Sequence, residues 1–159
     1  MKWVKIIVLG LALCVGASGC TTSKSVVSDS ANLAKYKYVS LVDVMSYRNS
    51  AYVMDAEVKI YDALAKTNLQ VVAPSHIYSM TDEQLGELLL ARYGVTSNTD
   101  ECVVTVNFVD FVSGAPVASC RGAFGLGIGP GGDFNGAIKK VGEQIRKTFG
   151  TETPSIADP

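Results

Sequence analysis

The sequence predicts an α+β fold with an α/β-type start, in the order βαβαββα, as a four-stranded mixed sheet with three helices. Three observations predict it. Two strand-like runs flank an amphipathic segment of helical length, and such a strand, helix and strand make a right-handed βαβ unit. Two further strand-like runs surround a loop that contains glycine, as in a β-hairpin. A last segment carries a continuous apolar stripe at helical spacing.

The first three elements lie between residues 36 and 73. Residues 36–45 are rich in β-branched and aromatic side chains, which favours a strand. Ser50 can cap a helix over 51–67. The inward face of this helix is expected to carry Val53, Ala56, Ile60 and Leu64. Residues 69–73 predict a short strand that ends at Pro74.

The remaining elements follow from capping, turn and stripe signals. Thr81 and Gln84 fit a capping box, so a second helix is expected over 82–93, ended by Gly94. Residues 102–112 and 117–127 predict the two hairpin strands, with Gly114 in the loop. The last helix is expected over 134–149, closed by Gly150, with an apolar stripe made by Phe134, Ile138, Val141, Ile145 and Phe149.

The first nineteen residues have the plan of a secretory signal peptide. Lys2 and Lys5 precede a ten-residue apolar run, which is shorter than the roughly 20 residues of a membrane span. The following stretch "ASGC" resembles a bacterial lipobox, which implies that Cys20 is acylated and becomes the mature amino terminus. It departs from the usual pattern at Ala17, where lipoboxes most often have leucine. The alternative is a free secreted protein.

The chain divides into four segments on this interpretation. Residues 1–19 are the signal peptide, and residues 20–33 are a serine- and threonine-rich flexible tether after the lipidated cysteine. Residues 34–150 form a single α/β domain, and residues 151–159 are a disordered tail. Loss of the leader takes two lysines from 14 basic residues and leaves 12 against 15 acidic residues, a net charge of −3. This mild acidity argues against a nucleic-acid partner.

The glycines near residue 130 match the spacing of a dinucleotide-binding loop. Gly127, Gly129 and Gly132 stand as GxGxxG. Such a loop precedes the helix of a βαβ unit and leaves that helix's amino terminus bare for phosphate. Here the helix is the last element, and Asp133 at its start would repel a phosphate. We therefore expect a hinge into the helix, with no nucleotide and no cofactor.

Catalytic and metal-binding patterns are weak. The single histidine, His76, is expected to be an exposed loop residue, and Cys102 and Cys120 lack the spacing of a zinc site. Asp110 lies in an apolar strand near the turn and is expected to bond the hairpin backbone. These residues give no nucleophile with a plausible base, so the sequence predicts neither an enzyme nor a metal protein.

The two cysteines of the folded part are expected to be free thiols. A hairpin that turns at Gly114–Ala115 pairs residues whose numbers sum to about 229, which puts Cys120 opposite Val109. Cys102 then lies seven residues further along the strand, more than about 20 Å away, whereas a disulfide needs α-carbons within about 7 Å.

One face of the sheet is a candidate docking surface. Tyr36 and Tyr38 alternate with aliphatic residues of the first strand, and Thr105 and Asn107 do so in the hairpin. If the helices cover the aliphatic side, these four residues share the other face, a mixed surface suited to a protein partner.

The order of elements resembles that of small envelope lipoproteins similar to the curli-secretion lipoprotein and the amino-terminal domain of the Tol-system propeller protein. The stretches that carry the resemblance are "YKYVSLV", "LAKTNLQVVAPSHI", "TDEQLGELLLARYGV" and "VNFVDFVSGAPVASCRGAFG". The resemblance implies docking or assembly rather than catalysis. We therefore expect a protein anchored by lipid in the bacterial envelope, at the outer membrane facing the periplasm, that docks to envelope proteins or self-assembles. The alternative is a small-ligand carrier or sensor with a pocket near the glycine loop.

Overall fold

Six strands form one mixed sheet in the computed structural model, which describes residues 22–42, 51–125 and 130–150. In chain order the strands are β1 (Lys24–Val27), β2 (Tyr38–Leu41), β3 (Gln70–Val71), β4 (Leu88–Ser97), β5 (Cys102–Asp110) and β6 (Pro116–Phe124). The α-helices are α1 (Ala51–Leu64), α2 (Asp82–Gly86) and α3 (Pro130–Phe149), and 3₁₀ helices cover Leu33–Lys35 and Pro74–Ser79. The class is α+β, but the four-stranded sheet with three helices is wrong, because β1, β4 and the 3₁₀ helices were not predicted.

The strand order across the sheet is β1-β6-β5-β4-β2-β3. Strands β1, β6, β5 and β4 pair antiparallel, whereas β2 pairs parallel with both β4 and β3. The predicted β2–α1–β3 unit is therefore present as two adjacent parallel strands joined through a helix. The sheet extends beyond it because β4 pairs with the other side of β2.

Strand β1 lies in the segment that was expected to be a flexible tether. Its residues pair with β6 from Lys24 opposite Arg121 to Val27 opposite Ala118. Only Val26 and Val27 favour a strand locally, so the pairing depends on the free edge that β6 offers. Residues 24–27 therefore belong to the folded unit.

Strand β4 replaces most of the second predicted helix. The capping box is present, since the amide of Gln84 donates to Thr81 Oγ1 and the amide of Thr81 donates to Gln84 Oε1. The helix nevertheless ends at Gly86, and Leu88 begins a ten-residue strand. Pairing on both sides, with β5 and β2, outweighs the helical spacing of Leu85, Leu88 and Leu89, because tertiary contacts override local propensity.

The core lies between the sheet and the layer formed by α1 and α3. The predicted apolar stripe of the last helix is confirmed, since all five of its residues are buried: Phe134, Ile138, Val141, Ile145 and Phe149. The inward row of α1 is confirmed as well, with Ala56, Ile60 and Leu64 buried and Val53 half-buried. Gly150 follows α3 with φ 79°, as expected of a helix stop.

Candidate functional site on the open face of the sheet

The two long helices cover only one face of the sheet, and alternation along each strand sets which side chains point away from them. In β5 the buried residues Val104, Val106 and Phe108 face the helices. Thr105 and Asn107 therefore point to the opposite side, called here the open face. The register places Thr105 beside Gly94 and Asn107 beside Arg92.

Tyr38 lies on this open face, two strands away from Thr105 and Asn107. Its pairing partner is Leu88, and Leu88 alternates with the core residue Leu89. The predicted grouping of Tyr38 with the threonine and the asparagine thus agrees with the register. Their role in binding a partner stays a prediction.

Tyr36 does not join this group, so the expectation that it shares their face is wrong. Its hydroxyl donates a 3.0 Å hydrogen bond to Asp110 Oδ2, and its ring packs against the helix-side core. The reason is that the chain arrives from the 3₁₀ helix Leu33–Lys35 and enters β2 only at Tyr38. The alternation of the strand does not extend back to Tyr36. Burial and the bond to Asp110 both raise the pKa of its phenol.

Asp110 organises the end of the hairpin, as predicted. Its Oδ1 accepts from the amide of Ser113 at 2.8 Å and from the hydroxyl of the same residue at 2.9 Å. Its Oδ2 accepts from Lys35 Nζ at 2.7 Å as well as from Tyr36. Burial opposes the charged form, but these hydrogen bonds outweigh it and hold the pKa of Asp110 below its usual range. The carboxylate is therefore a structural tie.

The open face carries polar side chains next to a shallow apolar groove. Ser119 Oγ donates to Asn107 Oδ1 at 2.7 Å across the hairpin. Beside this pair, Val26, Val109 and Pro116 contribute to a groove of about 240 Å³. Val26 itself is 55% exposed. The combination of hydrogen-bonding groups with exposed apolar area is typical of a protein interface.

A second exposed apolar surface lies on α1, and the sequence analysis missed it. Met54 and Val58 are each 61% exposed and Tyr61 is 49% exposed. Their spacing of four and three residues puts them in one row along the helix. We call this row the α1 stripe. It could have been found from the sequence, because these apolar residues fall outside the inward row of the same helix.

The prediction that Cys102 and Cys120 are free thiols agrees with the structure. The strand register from which it was argued is wrong. Cys102 and Cys120 are both free and buried. Cys120 pairs with Val106 rather than Val109, so the paired numbers sum to 226. Cys102 lies four residues from Val106, about 13 Å along the strand. Burial raises the pKa of both thiols, which keeps them protonated and weakly nucleophilic.

Several predicted residues fall elsewhere. Cys20, Gly127 and Gly129 lie outside the described residues, while Gly132 lies in the first turns of α3. His76 is exposed on the 3₁₀ helix Pro74–Ser79, as expected. In the ranges that the structure describes, no three potential ligands gather as a metal site would require. None of the helices in those ranges combines the length and the apolar character that crossing a membrane requires.

Comparison with known proteins identifies the fold. Neither a protein-family model nor a curated protein sequence matches the chain. A solved dodecamer of a single-residue variant of PelC from Paraburkholderia phytofirmans matches with a TM-score of 0.50 and 16% identity, over 80% of this chain and 98% of that one. A second PelC dodecamer from the same organism gives a TM-score of 0.49 and 15% identity, over 80% and 96% of the two chains. At this identity the first match shows a shared fold.

The resemblance to the curli-secretion lipoprotein and the Tol-system propeller protein is thus wrong. The first structural neighbour reported above is a PelC dodecamer instead. The resemblance was based on an expected order of elements that left out the strands β1 and β4, which complete the sheet.

Proposed function

We propose that this chain is a non-enzymatic protein of the bacterial cell envelope, anchored by lipid at Cys20, that assembles with copies of itself into a ring. The outer membrane facing the periplasm is its expected location. The α1 stripe is the observation that carries the proposal. Monomeric soluble proteins seldom leave a contiguous apolar row this exposed unless it binds something.

The α1 stripe and the open face differ in chemistry and lie on opposite sides of the sheet. Beside the α1 stripe, Lys59 Nζ binds Asp55 at 2.7 Å and reaches Asn135 of α3 at 2.8 Å. The charged row of α1 therefore faces α3, and the stripe runs along the other flank. The open face, with Asn107, Ser119 and the groove beside Val26, looks the opposite way.

A contact between two such unlike surfaces is heterologous, and repeating it makes either a closed ring or an open filament. We propose that the α1 stripe of one copy packs on the open face of the next. The shared fold with PelC, whose solved structure is a dodecamer, supports closure into a ring. Docking to other envelope proteins would then use the assembled ring rather than the single chain.

The experiment measures oligomeric mass by native mass spectrometry and light scattering. A Cys20→Ser chain keeps the small residues before the cleavage site and is expected to reach the periplasm in soluble form. We expect it to form an oligomer larger than a dimer. Val58→Lys should shift it to monomers, because a desolvated lysine in the interface has no partner to compensate its charge.

Asp62→Asn is the matched control, since it raises the net charge by one, as Val58→Lys does, at an exposed position of the same helix. It should leave the oligomer intact. A Cys20→Ser chain that is monomeric at every concentration, or an oligomer that survives Val58→Lys, would contradict the proposal.

A further inference from the structure

A cavity lies between the 3₁₀ helix Pro74–Ser79 and the part of the open face that β2 and β4 form, and it shares no lining residue with the groove beside Val26. Its volume is about 390 Å³. Ser40 and Leu90 form its floor on adjacent strands β2 and β4, and the lining is completed by Val42, Pro74, Ile77, Tyr78 and Phe111. Tyr78 is 94% exposed at its rim. None of these lining residues is charged.

Ser40 is the one lining residue with a hydroxyl in the floor, and it is fully buried. Its neighbours in β2, Val39 and Leu41, are part of the helix-side core. Alternation therefore turns Ser40 toward the cavity. Its Oγ makes no hydrogen bond within the described part of the chain. Buried polar atoms are almost always paired, so an unpaired one requires an explanation.

We propose that this cavity binds a small uncharged amphiphile, whose hydroxyl or carbonyl pairs with Ser40 Oγ. The apolar part lies against Leu90, Ile77 and Phe111. Pockets of this size are typical of small-molecule sites, which combine an apolar lining with a few placed polar groups. At about 30 Å³ per water-sized group, the space holds roughly 13 non-hydrogen atoms. The uncharged lining selects against ions, because an unpaired charge is costly to bury.

Octan-1-ol is the probe, with octanoate as its charged counterpart, on the soluble Cys20→Ser chain. The measurement is the change in backbone amide NMR shifts during titration. We expect saturable shifts at Ser40, Leu90 and Phe111 with octan-1-ol and much weaker ones with octanoate. Shifts scattered over the α1 stripe and the groove beside Val26, or none that saturate at the cavity, would overturn the proposal. A monomeric chain serves equally well, so this result is independent of the ring.

Ser40→Ala separates a binding role from a structural one. Loss of the hydroxyl should weaken octan-1-ol binding about threefold to tenfold, as expected for one net hydrogen bond. It should also raise the melting temperature, because it removes an unpaired buried hydroxyl. Ser30→Ala is the control, since that exposed hydroxyl does not line the cavity and is already paired with Ser28 Oγ: octan-1-ol affinity should not change and stability should not rise. Unchanged affinity in Ser40→Ala would refute the assignment.

Discussion

Asp110 joins parts of the chain that are far apart in sequence. Its two oxygens hold the turn after β5 through Ser113 and the amino-terminal segment through Lys35 and Tyr36. The Asp110 side chain is only 7% exposed, so these bonds are shielded from water. The Lys35 side chain is 45% exposed, which weakens the ion pair as a source of stability. The hydrogen bonds to the carboxylate are therefore the larger contribution.

Asp110→Asn should lower the free energy of unfolding by about 2 kcal/mol at neutral pH, the range for hydrogen bonds to a charged group. The amide that replaces the carboxylate keeps the size but loses the charge that Lys35 and Tyr36 bind. Urea unfolding followed by circular dichroism measures the change. Asp55→Asn is the control, because Asp55 pairs with Lys59 on the exposed side of α1 and should cost less than about 0.5 kcal/mol.

The comparison of Asp110→Asn with the wild type also tests the pH dependence of stability. The pKa of Asp110 is lower in the folded protein than the value near 3.9 of an unfolded aspartate. Its contribution to stability is therefore complete above about pH 5 and is lost as the pH falls below about 4. The difference in unfolding free energy between the wild type and Asp110→Asn should shrink from pH 7 to pH 3. A difference that stays constant would show that the carboxylate charge is not responsible.

At the scale of elements, the helical stripes could be predicted and the edges of the sheet could not. The rows of α1 and α3 have a strong 3.6-residue period, and their inward residues are those expected. Residues 88–90 are three leucines, a pattern that fits a helix and a buried strand equally well. Only the pairing of β4 with β5 and β2 decides between them.

The candidate site could be predicted only where its residues lie in elements with a regular sequence period. Alternation correctly grouped Tyr38 with Thr105 and Asn107, because all three lie in regular strands. It failed for Tyr36, which precedes its strand and bonds Asp110. The cavity around Ser40 could not be predicted from the sequence. It forms only because the 3₁₀ helix Pro74–Ser79 packs over the sheet, and no local sequence pattern indicates that contact.

Gly122 fixes how closely α3 approaches β6. A Cβ atom at Gly122 would overlap the carbonyl oxygen of Ala137 and the amide of Val141. Gly122→Ala should therefore cost about 1–3 kcal/mol, the usual range for overpacking, since helix and strand must move apart. Gly94→Ala is the control: it lies in β4, and no atom lies within 4 Å of an added Cβ.

Denaturant unfolding of both variants checks the close approach. Gly94→Ala should be neutral or stabilising by up to about 1 kcal/mol, because alanine has less freedom than glycine in the unfolded chain. Equal effects at the two positions would mean that α3 does not depend on a bare backbone at Gly122.

For the whole molecule, the position of β1 changes the expected distance between the fold and its proposed anchor. Only residues 21–23 separate Cys20 from Lys24, the first residue of β1. Four chain steps span at most about 14 Å. A lipid on Cys20 would therefore hold the β1–β6 edge of the sheet close to the bilayer, instead of leaving the domain on a long tether.

Lipidation at Cys20 is the remaining prediction. The wild type should incorporate labelled palmitate and partition into detergent, and Cys20→Ser should lose both, because the acyl chains contribute about 0.8 kcal/mol of membrane affinity per buried methylene. Cys14→Ser is the matched control, since Cys14 follows the bulky Leu13 within the leader and should change neither measurement. Release of the wild type into the soluble periplasmic fraction would contradict the anchor. The oligomer of the Cys20→Ser chain would still test the ring on its own, because the α1 stripe and the open face do not involve the lipid.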